Sequence, residues 1–194
     1  MRRLLALILC LGPMASILAY DTVVWKISDP VENWLRTGRW NYDEVCANVP
    51  EVMSAIEKAT CCPDVVVRRN AYVLLVGLHE RGELADESAV PCLATGLRDP
   101  IADIRQEVLW HLHDHPALAL MLRYDIAACT ADCVPELRAW AISCLDEMGP
   151  EALFAMARIE RALRDPDSGV QGAAKMALEK LTAPPTDLDG SAGS

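Results

Sequence analysis

Leu163-Arg164-Asp165-Pro166 repeats Leu97-Arg98-Asp99-Pro100 at a separation of 66 residues, which is twice 33. Halving the interval places a reference position at Cys133, and another falls upstream at Pro63. Four residues after the references stand Val67, Ile104, Leu137 and Val170. Eight after stand Ala71, Val108, Ala141 and Ala174, and twelve after stand Leu75, Leu112, Leu145 and Leu178. Seven before stand Ile56, Leu93, Ile126 and Ile159; eleven before, Val52, Ala89, Leu122 and Ala155. Four before, every residue is small: Ala59, Gly96, Cys129 and Ala162. Self-similarity at such a period marks stacked repeats.

Steps of four put the later positions on one face of a helix that follows each reference, and the earlier ones on a helix that precedes it. The proline of each Asp-Pro pair is expected at the start of the second helix, where its missing N–H does no harm. Small residues before the turn let the two helices approach closely. Each unit is then a helical hairpin that must bury its face on its neighbours. The units run over Pro50–Arg81, Asp86–Ala119, Leu120–Gly149 and Pro150–Thr182, with extra residues near Arg81–Asp86. The predicted fold is all-α, a right-handed α-solenoid of four hairpins over residues 50–182. A tryptophan-rich cap over residues 21–49 precedes it, and a disordered Pro/Gly/Ser-rich tail over 183–194 follows. Asp29-Pro30 lies 33 residues before Pro63, so the cap reads as a degenerate unit.

The stretch Leu163 to Leu181, LRDPDSGVQGAAKMALEKL, resembles a HEAT-like repeat of the short type also found in phycobilisome lyases. The resemblance covers roughly residues 50–182 and implies the solenoid; it is poor for function, because such repeats host scaffolds, adaptors and a few enzymes. In that family an Arg follows the aliphatic residue of the second helix. The resemblance implies an inter-repeat polar ladder for Arg68, Arg105 and Arg138, while the fourth unit has Gln171. One HEAT-like metalloenzyme type, the deoxyhypusine hydroxylases, repeats His-Glu pairs on several helices. Here His79-Glu80 stands without such a partner pair.

Composition narrows the function classes. Hydrophobic residues make up 52 % of the chain but aromatics only 5 %, with Phe154 the single Phe, so the core is aliphatic and favours helix. A net charge of -10 argues against nucleic acid, whose binding rests on Lys and Arg neutralising phosphates, and against docking on an anionic membrane.

Met1-Arg2-Arg3 precedes an uncharged run from Leu4 to Tyr20. Residues 1–20 therefore read as a signal peptide or as a single transmembrane anchor, with Trp25 near the interface in the second case. Ala15 and Ala19 are candidate cleavage positions, and Leu9 before Cys10 argues against a lipoprotein cysteine. Both readings place the rest of the chain outside the cytoplasm, in a periplasmic, extracellular or lumenal space. The membrane is then touched only through residues 4–25, and only if the leader is retained.

Seven cysteines lie beyond the leader, an odd number, so at least one is free or pairs between chains. Cys129 with Cys133, and Cys46 with Cys61 or Cys62, are candidate disulfides; core packing is the alternative for Cys129 and Cys144. His111 and His115 are four apart on the second helix of the second unit, face the stack and form the candidate metal pair, with helix-end or core histidines as the plainer reading. Asp114 is on the wrong face to join them. No phosphate loop, Gly-x-Ser-x-Gly or His-Glu-x-x-His is present, so no catalytic residue and no cofactor is assigned.

The expected function is a non-catalytic exported scaffold or adaptor that binds another protein. Candidate anchors are Trp25, Trp34 and Trp40, since Trp is enriched at interface hot spots. The second helices expose Asp103, Glu107, Asp114, Glu136, Asp146 and Glu147, which predicts a partner with basic patches, Glu107 and Glu136 being the residues to test. The alternatives are a membrane-anchored accessory subunit of a larger complex and a lyase-like or metal-dependent enzyme accessory.

Overall fold

The computed structural model describes residues 29–183. The expected leader, Cys10, Trp25 and the tail beyond Ala183 lie outside the described residues. The described chain is all-α and contains no strand. It forms two compact units, one up to Ala71 and one from Tyr72.

The first unit holds α1 (Asp29–Thr37), α2 (Tyr42–Cys46), α3 (Val49–Ala59) and the beginning of α4 (Val65–Glu80). Helices α1 and α2 both pack on α3. Gly38, at φ +65°, ends α1 in the left-handed conformation that glycine adopts without strain, and its N–H reaches Trp34 O at 2.8 Å. Asn70 Nδ2 donates to Leu35 O at 2.7 Å, tying the start of α4 to the end of α1. Val31, Leu35, Val45, Val52, Ile56, Ala59, Val67 and Ala71 are buried between these helices.

The second unit continues with α5 (Asp86–Gly96), α6 (Ala102–Asp114), α7 (Pro116–Met121), α8 (Arg123–Cys129) and α9 (Pro135–Glu147). A 3-10 segment (Gly149–Ala155), α10 (Met156–Ala162) and α11 (Ser168–Thr182) complete it. Helix α5 packs on α6, α8 on α9 and α10 on α11; α6 in turn packs on α9, and α9 on α11. The repeat columns become the core. Ala71, Val108, Ala141 and Ala174 are fully buried, as are Ile56, Leu93, Ile126 and Ile159. Gly96 shows why the minus-four column is small: a Cβ there would stand 2.7 Å from the Tyr72 ring and 2.7 Å from Val108 Cγ2.

Two local expectations change. The prolines do not open the second helices: α6 begins at Ala102 and α11 at Ser168, each two residues after its Asp-Pro pair. The aspartate carries the turn instead. Asp99 Oδ1 accepts from Ile101 N at 2.9 Å, Asp132 Oδ1 from Val134 N at 2.9 Å, and Asp165 Oδ1 from Asp167 N at 3.0 Å. These Asx turns work with or without a following proline, so Asp132-Cys133 fills the third turn as well. The first helices are also less regular than the period implies. The third divides into α7 and α8 around Leu122, the fourth opens as a 3-10 turn, and Pro91 lies inside α5.

Candidate functional site

The arginine column forms the expected ladder in the second unit. Arg105 pairs in a fork with Asp132, at 2.7 Å through Nε and 2.9 Å through Nη2, and Arg138 pairs likewise with Asp165 at 2.8 and 2.6 Å. Each also donates back six residues, Arg105 to Asp99 O and Arg138 to Asp132 O. Gln171 keeps that backward bond to Asp165 O at 2.7 Å, and Arg68 in the first unit keeps its own to Cys62 O. Burial raises the Asp132 carboxyl, but the Arg105 guanidinium and the Val134 N–H outweigh it and hold it below the usual carboxylate range. Arg138 holds Asp165 down in the same way. With their hydrogen bonds made inside the protein, the Arg105–Asp132 and Arg138–Asp165 forks join consecutive turns.

The histidines behave differently. His79 at the end of α4, His111 on the last turns of α6 and His115 at the α6–α7 junction converge. One nitrogen from each lies within 4.8 Å of the other two. Ring centroids are 4.9 Å apart for His79–His111, 4.9 Å for His79–His115 and 4.3 Å for His111–His115. His79 Nε2 is held by Asp86 Oδ1 at 2.8 Å, and His115 Nδ1 by the His111 carbonyl at 2.8 Å. His79 Nδ1 and both nitrogens of His111 are buried and make no hydrogen bond. The His111 side chain is only 2 % exposed. Burial, with His115 and His79 alongside, pushes its imidazole down to about 4, so it is neutral at pH 7 with a lone pair available. Of the expected pair, His111 and His115 do face together; sequence reasoning set His79 aside. No second His-Glu pair faces His79; its partners are the histidines at the end of the next second helix.

The second-helix face carries a further constellation. Asp103, Glu107, Trp110 and Asp114 follow one stripe of α6, and Glu136, Trp140 and Glu147 one stripe of α9. The stripes meet where Trp110 and Trp140 pack edge to face at 5.8 Å, with the His113 ring 5.5 Å from Trp140. Trp110 is 44 % exposed. Glu136 and Asp103 are exposed and Glu107 is half-buried, while Lys180 sits 3.5 Å from both Asp146 and Glu147. The two tryptophans occupy different repeat columns, one helical turn apart, so column comparison does not pair them.

The remaining expected residues are placed as follows. Trp34 and Trp40 of the first unit are half-buried, and Trp40 packs edge to face on Tyr42 at 6.3 Å. All seven described cysteines are free thiols, including the candidate pairs Cys129 with Cys133 and Cys46 with Cys61 or Cys62. Burial pushes the Cys129 thiol up to about 11 and Cys144 up to about 12. A cavity of about 610 Å³ opens between α10 and α11; it is lined by Glu160, Arg161, Arg164, Thr182 and apolar side chains, without histidine or cysteine. Among the described residues, no helix is long and apolar enough to cross a membrane. The chain matches no protein-family model and no curated protein.

Proposed function

We propose that this chain is a non-catalytic interaction module, a HEAT-like solenoid whose second-helix face binds a basic segment of another protein. The packing order of α6, α9 and α11, together with the Arg–Asp ladder, supports the solenoid reading. The observation that carries the binding reading is the Trp110–Trp140 pair, with Glu107 and Glu136 one helical turn before the two rings on the same helices. An aromatic face attracts a cation through its quadrupole, and carboxylates beside it add Coulomb attraction and orientation. Lys- and Arg-bearing segments satisfy both. The leader reading places this module outside the cytoplasm, either released or held as an accessory subunit by its N-terminal segment.

The test compares partner capture by the wild-type chain, Trp110→Ser/Trp140→Ser and Glu107→Lys/Glu136→Lys, at low and high salt. Capture that falls with salt and is lost in both double variants, with helix content unchanged, supports the proposal. Capture that ignores salt and survives both variants contradicts it. The mass of the mature N-terminus separates a released chain from an anchored one.

A further inference from the structure

We propose that His79, His111 and His115 form a binding site for one divalent transition metal ion of the zinc type. Three independent features point there. First, the donor set is right: three imidazoles from the ends of α4 and α6 suit Zn²⁺, Co²⁺, Ni²⁺ or Cu²⁺, and disfavour Mg²⁺ and Ca²⁺, which want oxygen. Second, the outer contacts are those that orient metal-binding histidines. Asp86 Oδ1 accepts a hydrogen bond from the Nε2–H of His79, and the His111 carbonyl accepts one from the Nδ1–H of His115. Those bonds leave His79 Nδ1 and His115 Nε2 as the coordinating atoms and fix their tautomers. Third, the site holds unmet polar demand. A buried imidazole nitrogen without a partner is destabilising, and here three such nitrogens come from adjoining rings.

The distances fit a site that tightens on loading. The nitrogens lie within 4.8 Å of one another, whereas tetrahedral coordination at zinc–nitrogen bonds brings ligand atoms to about 3.3 Å. Glu80 supplies the fourth ligand. Its carboxylate stands 4.0 Å from His111 Nδ1 and its side chain is 58 % exposed, so it also marks the entry side. His113 is excluded: it turns to Asp114 and Trp140. The ion would cross-link the ends of α4 and α6 and, through Asp86, the start of α5.

The test uses the untagged full-length chain, stripped with a chelator and titrated with Zn²⁺ or Co²⁺. One equivalent should bind, Co²⁺ should give visible d–d bands without thiolate charge transfer, and Mg²⁺ should not compete. Saturating Zn²⁺ should raise the thermal midpoint by about 5–10 °C. His111→Ala and His115→Gln should each weaken binding by at least about 100-fold, Asp86→Asn by about 10-fold, and His113→Gln not at all. If His111→Ala does not fold, the imidazole NMR signals of the wild type decide: three of four histidines should shift on loading. No bound metal, binding that survives His115→Gln, or a cobalt spectrum showing thiolate ligation would each overturn the proposal.

Discussion

The arginine ladder and the histidine cluster lie in the same unit and are both built of largely buried polar side chains, yet they are opposites in how their hydrogen bonds are met. Arg105 and Arg138 each reach an aspartate of the following turn and a carbonyl of their own. Three nitrogens of His79 and His111 reach nothing. Buried polar groups that are fully paired hold a fold; those left unpaired need some other reason to persist. The contrast teaches where to look in a helical repeat. A polar column that recurs along the chain, as Arg68, Arg105 and Arg138 do, is structural, and a polar cluster that occurs once is the candidate site.

The largest effect expected is on the paired side. Arg105→Ala strands the Asp132 carboxylate and the Asp99 carbonyl, and urea unfolding should show a loss of about 3 kcal/mol. A loss below about 1 kcal/mol would erase the distinction between the two clusters. Next comes acid sensitivity. In chelator-treated protein, His111 has a folded pKa of about 4 against 6.5 when unfolded. The unfolded chain therefore binds more protons in that window, so stability is complete above pH 6.5 and declines as pH falls towards 4. The expected decline is of order 2 kcal/mol after discounting for solvent screening. Asp132 and Asp165, whose folded pKa values are depressed, add stability that is lost only at lower pH, below the usual carboxylate range. Two separate acid steps in chemical denaturation are the predicted outcome.

A smaller effect of opposite sign is expected from His111→Phe. An apolar ring ends the unmet demand, so metal-free stability at pH 7 should stay level or rise by about 1 kcal/mol, and the upper acid step should vanish. A loss comparable to that of Arg105→Ala would show the imidazole to be structurally paired after all. The smallest expected effect is chemical. Cys133, exposed beside Asp132, should react with a thiol reagent in the folded state, whereas Cys129 and Cys144, buried with raised pKa values, should react only on unfolding. Timed thiol counting checks this.

The all-helical class and its buried positions were legible because the sequence is periodic. Six columns of aliphatic or small residues recur in four units, and they are the residues found buried, with Leu178 of the last helix only half-buried. The Arg column was legible for the same reason, through Arg105 and Arg138. The turns were less so. Asp-Pro drew attention to the proline, but the carboxylate makes the contacts, which is why Asp132-Cys133 serves equally well. The irregular first helices were hidden because a column records residue type, not the break around Leu122.

The histidine cluster was half legible. His111 and His115 sit one turn apart on one helix, a spacing any helical reading pairs. His79 lies 32 residues upstream of His111 and at a different place in its repeat, so nothing in the period joins them. Only adjacent helix ends bring the third ring in. The Trp110–Trp140 contact escaped for a related reason, as neighbouring helices meet one turn out of register.

Anomalous X-ray scattering from a crystal grown with Zn²⁺, recorded on both sides of the zinc absorption edge, tests the central claim most directly. One strong peak bonded to nitrogens of His79, His111 and His115 is the predicted result. An empty cluster whose ring nitrogens are satisfied by ordered water or by each other, with zinc elsewhere or nowhere, would contradict it.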